Sequence, residues 1–149
     1  MEIFKFKHMK KFLFIASFVL FTFGAYAQQD YENIVDQFFT LYSKEAPEKA
    51  VDFLFTTNPY MDINSEQAKK IKVQLGTVTA LIGDFYGYEL MRKEQLAPSL
   101  VSLTYLVKHK RQPLYYTFVF YKPNDKWQIL NVRFDDKLEN VPLNKNERQ

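Results

Sequence analysis

Apolar and polar positions follow helical spacing in the first half of this chain and strand alternation in the second. Ile34, Val35, Phe38, Phe39, Leu41 and Tyr42 form a broad apolar face, which predicts a helix capped by Asp30 and running to about Lys44. Pro47 suits the first turn of a second, short helix with Ala50, Val51, Leu54 and Phe55 on one side, and Thr57-Asn58-Pro59 breaks it. Asn64 and Gln67 have capping-box spacing and open a third helix that reaches Gly83. Its stripe runs Ala68, Ile71, Leu75, Val78 and Ile82, with Lys69, Lys70 and Lys72 largely outside it. Gly76 weakens that helix by up to about 1 kcal/mol relative to Ala, so a close approach of another backbone is expected there.

Four strands follow. Tyr86–Gln95 alternates loosely, with Tyr88 and Leu90 opposite Glu89 and Met91. In Leu100–His109, Val101, Leu103, Tyr105 and Val107 share one face, while Ser102, Thr104 and Lys108 mark the other. Lys110-Arg111-Gln112-Pro113 turns the chain into Leu114–Tyr121, a dense aromatic and β-branched strand. Pro123 stands where a type I turn favours it, and Trp127–Phe134 returns as the last strand. Helices first and an antiparallel meander afterwards is an α+β order, with the third helix covering one sheet face. The polar stretch 137–149 reads as a frayed tail.

The first 27 residues read differently. Met9-Lys10-Lys11 is a basic start, Phe12–Phe23 is a run of 12 apolar or small residues, and Gly24-Ala25-Tyr26-Ala27 is a small-x-small exit. Those are the three parts of a secretory signal, with cleavage expected after Ala27. The run is too short to cross roughly 30 Å of hydrocarbon. A signal that begins at Met9 is complete without residues 1–8, so Met9 stands as an alternative start. With no cysteine there is no lipid-bearing Cys and no disulfide, so the exported domain must hold together by its core. A soluble protein of the periplasm or the medium, without membrane anchor, is the expectation.

Cleavage changes the electrostatics. Residues 1–27 carry four lysines and one glutamate, which leaves sixteen basic and sixteen acidic residues in a mature chain of net charge zero. Nothing then draws the domain toward nucleic acid or an anionic membrane. One domain, residues 28–136, is expected, with eight Phe, nine Tyr and one Trp to build its core.

The element order from Asp30 to Asp136 resembles the NTF2-like, or cystatin-like, superfamily, in which a bent antiparallel sheet wraps helices into a cone. Tyr116–Phe134, with the turn Lys122-Pro123-Asn124-Asp125-Lys126 and the following Trp127-Gln128-Ile129, is similar to the last hairpin of many such domains. In particular the chain resembles small secreted bacterial members of the group. The resemblance implies a fold and little about function, because that fold hosts isomerases, dehydratases, transport factors and binding modules. It also implies dimerisation through the outer face of the sheet.

No catalytic residue and no cofactor is called from the motifs. His109, the only histidine after cleavage, sits in Lys108-His109-Lys110-Arg111 and reads as a solvated strand end beside a solubilising turn, rather than as a positioned base. One histidine and no cysteine exclude soft metal ligation, and Asp135, Asp136 and Glu139 lack the spacing of a calcium loop. Gly-rich phosphate cradles and G-x-S-x-G elbows are absent. The aromatics remain. Tyr88, Tyr105, Tyr116 and Trp127 are the candidate lining of a pocket for a small apolar ligand, core filling being the plainer account. Leu114–Tyr121 offers Tyr116, Phe118 and Phe120 on one side and Tyr115, Val119 and Tyr121 on the other. Whichever set faces outward is the candidate surface for a homodimer or a protein partner. The favoured function is a non-enzymatic binding domain. The alternative is an isomerase, dehydratase or hydrolase with a buried carboxylate base, Asp84 and Glu89 being its candidates.

Overall fold

The computed structural model describes residues 31–141. The expected signal segment, the expected cap at Asp30 and the chain beyond Val141 lie outside the described residues. Three α-helices, α1 (Tyr31–Lys44), α2 (Pro47–Thr56) and α3 (Glu66–Ile82), precede four strands, β1 (Phe85–Ala97), β2 (Leu100–His109), β3 (Leu114–Tyr121) and β4 (Gln128–Asp135). The strands pair antiparallel in the order β1-β2-β3-β4, so the protein is an α+β domain with helices packed on an open meander.

Local chemistry sets the helix ends. Pro47 opens α2 in its first turn. The cap of α3 is Ser65, one residue later than the expected Asn64. The Ser65 hydroxyl accepts from Ala68 N–H at 3.2 Å, while Asn64 N–H bonds the Asp62 carboxylate at 2.8 Å. Gly76 meets a side chain and not a backbone: a Cβ there would collide with Glu48 Oε1 on α2. Gly83 ends α3 at φ +83°, the left-handed region that favours glycine.

Register decides which residues share a face. Tyr116, Phe118 and Phe120 pair with Tyr105, Leu103 and Val101, and all six are buried. Against them α1 lays Phe38, Phe39 and Tyr42. Phe38 meets Phe118 edge-on at 5.2 Å, and Phe39 stacks on Tyr88 at 4.0 Å. Such pairs each add about 0.5–1.5 kcal/mol beyond area burial. Tyr115, Thr117, Val119 and Tyr121 therefore face outward, opposite Leu106, Thr104, Ser102 and Leu100. Bulges in β1 and at Val119/Phe120 bend the sheet.

Two contacts close the periphery. On the edge strand β4, Ile129 N–H donates to Thr57 Oγ1 at 3.1 Å, and Ile129 C=O accepts from the buried Asn58 amide at 2.7 Å. The segment that ends α2 thus covers part of an exposed sheet edge. After β4 the chain does not fray at Lys137. A 3₁₀ turn, Leu138–Asn140, leads to the buried Val141, because the Asp135 carboxylate gathers the Lys137 N–H at 2.9 Å and the Asn140 amide at 2.9–3.0 Å.

Candidate ligand-binding groove

Helix α3 packs on α2, and between α3 and the C-terminal half of β4 a groove of about 700 Å³ opens. Its apolar walls follow from two periodicities. Ile71 and Val78 lie one helical stripe apart on α3, while Val132 and Phe134 are the inward residues of β4, paired with Phe118 and Tyr116. Leu114 adds a buried side chain at the start of β3. Ile71, Val78, Val132 and Phe134 stay only partly buried, so the edge of the core is open there.

The rim is polar and balanced in sign: Arg133 and Lys137 stand with Asp135 and Asp136, beside Gln74 and Thr77. Desolvation works to raise the Asp135 carboxyl, but hydrogen bonds from the Lys137 N–H and the Asn140 amide, with the nearby Arg133 charge, hold it below the usual carboxylate value. Asp135 is thereby a fixed anion of the rim.

The residues singled out from the sequence fall elsewhere. Tyr88, Tyr105 and Tyr116 surround Phe39, at 4.0, 5.7 and 5.9 Å between ring centroids. Trp127 stands at the other end of α1, edge-on to Tyr31 at 4.9 Å. The structure brings three of the four together and leaves Trp127 apart, and none of the four lines the α3–β4 groove. Tyr88 donates to Asp36 at 2.8 Å, and its phenol is pushed up to about 12 by burial and then by that carboxylate. Tyr105 is likewise pushed up to about 12, by burial first and then by the Asp36 and Glu32 charges. Lys93 donates to Glu32 at 2.5 Å and sits 5.1 Å above the Tyr31 ring, so its ammonium is held protonated above the usual range.

His109 is a correction. It is 9% exposed rather than solvated, because its position on β2 continues the inward alternation of Val101, Leu103, Tyr105 and Val107. Its Nδ1 lies 2.8 Å from the Gly83 carbonyl, which can only accept, so Nδ1 carries the proton. In the neutral ring Nε2 then accepts from the Tyr42 hydroxyl at 2.9 Å. The following turn is docked as well as charged: Lys110 N–H donates to Asp84 C=O and Arg111 N–H to Ile82 C=O, each at 2.9 Å. Three carbonyls at the end of α3 are thus satisfied by His109–Arg111.

Burial pushes the Tyr42 phenol up, an effect the neighbouring Tyr116 hydroxyl offsets in part and the Glu48 carboxylate reinforces. Burial also holds the Tyr116 phenol far above its ordinary value, with Tyr42 as its polar neighbour. The two hydroxyls influence each other without meeting hydrogen-bond geometry. Among the described residues Tyr116 Oη is the one buried side-chain polar atom without a partner.

The carboxylates do not enter the core. The buried polar or charged side chains among the described residues are Asn58, Ser102, Thr104 and His109. Asp84 is exposed, and Glu89 is an exposed partner of Lys108 at 2.7 Å. No group of acidic and histidine side chains among the described residues is arranged to hold a metal ion, and no helix among them is long and apolar enough to cross a membrane. Compared with known proteins, the chain matches no family model, no curated protein and no solved structure.

Proposed function

We propose that the protein is an exported, non-enzymatic binding domain of NTF2-like type, and that it takes a small, largely apolar molecule in the α3–β4 groove. The observation that carries this reading is the groove itself: about 700 Å³ with walls of Ile71, Val78, Leu114, Val132 and Phe134 beneath a charge-balanced rim. Small-molecule sites combine that size range with an apolar lining and a few fixed polar groups. Export rests on the signal pattern of residues 9–27. The enzymatic alternative calls for a carboxylate base in a desolvated site, and the Tyr-bonded carboxylate, Asp36, is exposed on α1.

Native mass spectrometry of protein recovered from the periplasm or medium tests the reading, together with titration by anilinonaphthalene sulfonate. A bound small molecule or saturable probe binding is expected, lost in Val78→Arg and Val132→Arg while both variants remain folded by circular dichroism. Binding that survives both substitutions, or no binding at all, overturns it.

A second reading is favoured by the outer sheet face, where Tyr115, Val119 and Tyr121 would meet a second copy of the chain. Register places Glu89, Leu106, Tyr115 and Asp135 in one row and Arg92, Thr104, Thr117 and Arg133 in the next. Acidic row ends therefore neighbour basic row ends, an arrangement complementary to itself under a two-fold axis lying across the strands.

A further inference from the structure

We infer that a second cleft, at the start of β4, is a saccharide-binding subsite built on Trp127. The cleft holds about 490 Å³ between the N-terminal half of α1, the end of α2 and the turn before β4. Trp127 is only partly buried, and its orientation is fixed from beneath by the edge-on contact with Tyr31, itself buried and stacked on Phe120 at 6.1 Å. Lys122 Nζ stands over the indole ring, 5.3 Å from its centroid, a cation–π contact that a stacked sugar would displace. A rigid, partly exposed indole supplies a flat apolar plane beside polar groups, which suits the C–H face of a pyranose ring.

The rest of the lining matches a polyol. Asn33 and Gln37, one helical turn apart on α1, turn exposed amides to the cleft, and neither bonds another described group. Each amide offers two donors and an acceptor with two lone pairs, the mixed complement that adjacent sugar hydroxyls present. Thr56 donates to Phe53 C=O at 2.6 Å and keeps its oxygen free to accept. Among the described residues lining the cleft, Lys126 is the only charged side chain. A purely apolar ligand would leave these amides to be desolvated without partners, which disfavours it. The site lies at the opposite end of β4 from the α3–β4 groove and shares no residue with it.

The test is a fluorescence and NMR titration of the mature protein, whose only tryptophan is Trp127. The probes are oligomers of glucose, of N-acetylglucosamine and of galacturonate. At least one series should change Trp127 emission saturably and shift the Asn33 and Gln37 side-chain amides. Asn33→Ala and Gln37→Ala, both at exposed positions, should each weaken that binding about tenfold while melting is unchanged. Val132→Arg, in the other groove, should leave it intact, so the two sites fail independently. Silence toward all three series at millimolar concentration, or binding indifferent to Asn33→Ala and Gln37→Ala, overturns the inference.

Discussion

Tyr42 and Tyr116 place hydroxyls side by side in one core, yet deleting them should have opposite consequences. The Tyr42 hydroxyl satisfies His109 Nε2, so Tyr42→Phe leaves a buried ring nitrogen without its partner. A cost of about 1–3 kcal/mol is expected, the desolvation penalty of an orphaned polar atom. The Tyr116 hydroxyl is fully buried and has no hydrogen-bond partner to lose. Tyr116→Phe removes a polar atom already desolvated, and should be neutral or stabilising. Urea denaturation of both variants measures the contrast directly. A destabilised Tyr116→Phe would place a hydrogen bond between the two phenols, and an unaffected Tyr42→Phe would mean that water replaces the lost hydroxyl at His109.

At the scale of elements, α3 carries a correctable weakness. Gly76 costs helix stability, and the atom that a Cβ would displace is the end of the flexible Glu48 side chain, which can rotate away. Gly76→Ala should therefore stabilise the domain by up to about 1 kcal/mol, read as an increase in melting temperature. A decrease would mean that the Glu48 carboxylate is pinned where it lies. The same helix shows how far the sequence could be read. Its stripe identified the side that packs, because periodicity is local. Its cap moved from Asn64 to Ser65, whose hydroxyl holds the Ala68 N–H while the Asn64 N–H is taken by the Asp62 carboxylate. The strand alternation separated Tyr116, Phe118 and Phe120 from Tyr115, Val119 and Tyr121, but could not say which set faced inward without knowing where α1 lay. Parity alone would have put His109 inside, had its basic neighbours not argued for solvent. The α3–β4 groove left no local signal, since it arises from where a helix sits relative to a strand some fifty residues away.

For the whole molecule, the outer face of the sheet poses the remaining question of assembly. Tyr115, Thr117 and Val119 are partly covered by their neighbours, and Tyr121 is 37% exposed. Beside them on β2 Thr104 is buried, 3.4 Å from Thr117 between hydroxyls, so this face is an amphipathic surface and not a bare apolar patch. Its charges already pair within the chain, Glu89 with Lys108 and Arg92 with Glu94. An exposed pair such as Glu89–Lys108 contributes little, about 0–1 kcal/mol, and exchanging that partner across an interface costs correspondingly little, whereas Arg92 is largely buried beside Glu94. Under a two-fold axis across the strands, Glu89 and Asp135 of one copy would lie over Arg92 and Arg133 of the other, with Tyr115 against Thr117. An interface of that composition gains orientation and association rate from charge and modest affinity from its tyrosines. Sedimentation of the chain from Gln28 onward should then show a monomer–dimer equilibrium at micromolar concentration that shifts toward monomer as salt rises, since screening weakens exposed charge pairs. Val119→Lys, at the centre of the face, should abolish the dimer without lowering the melting temperature of the monomer. A dimer insensitive to Val119→Lys would have to form elsewhere. A monomer at every concentration and ionic strength would leave the outer face to a different protein partner.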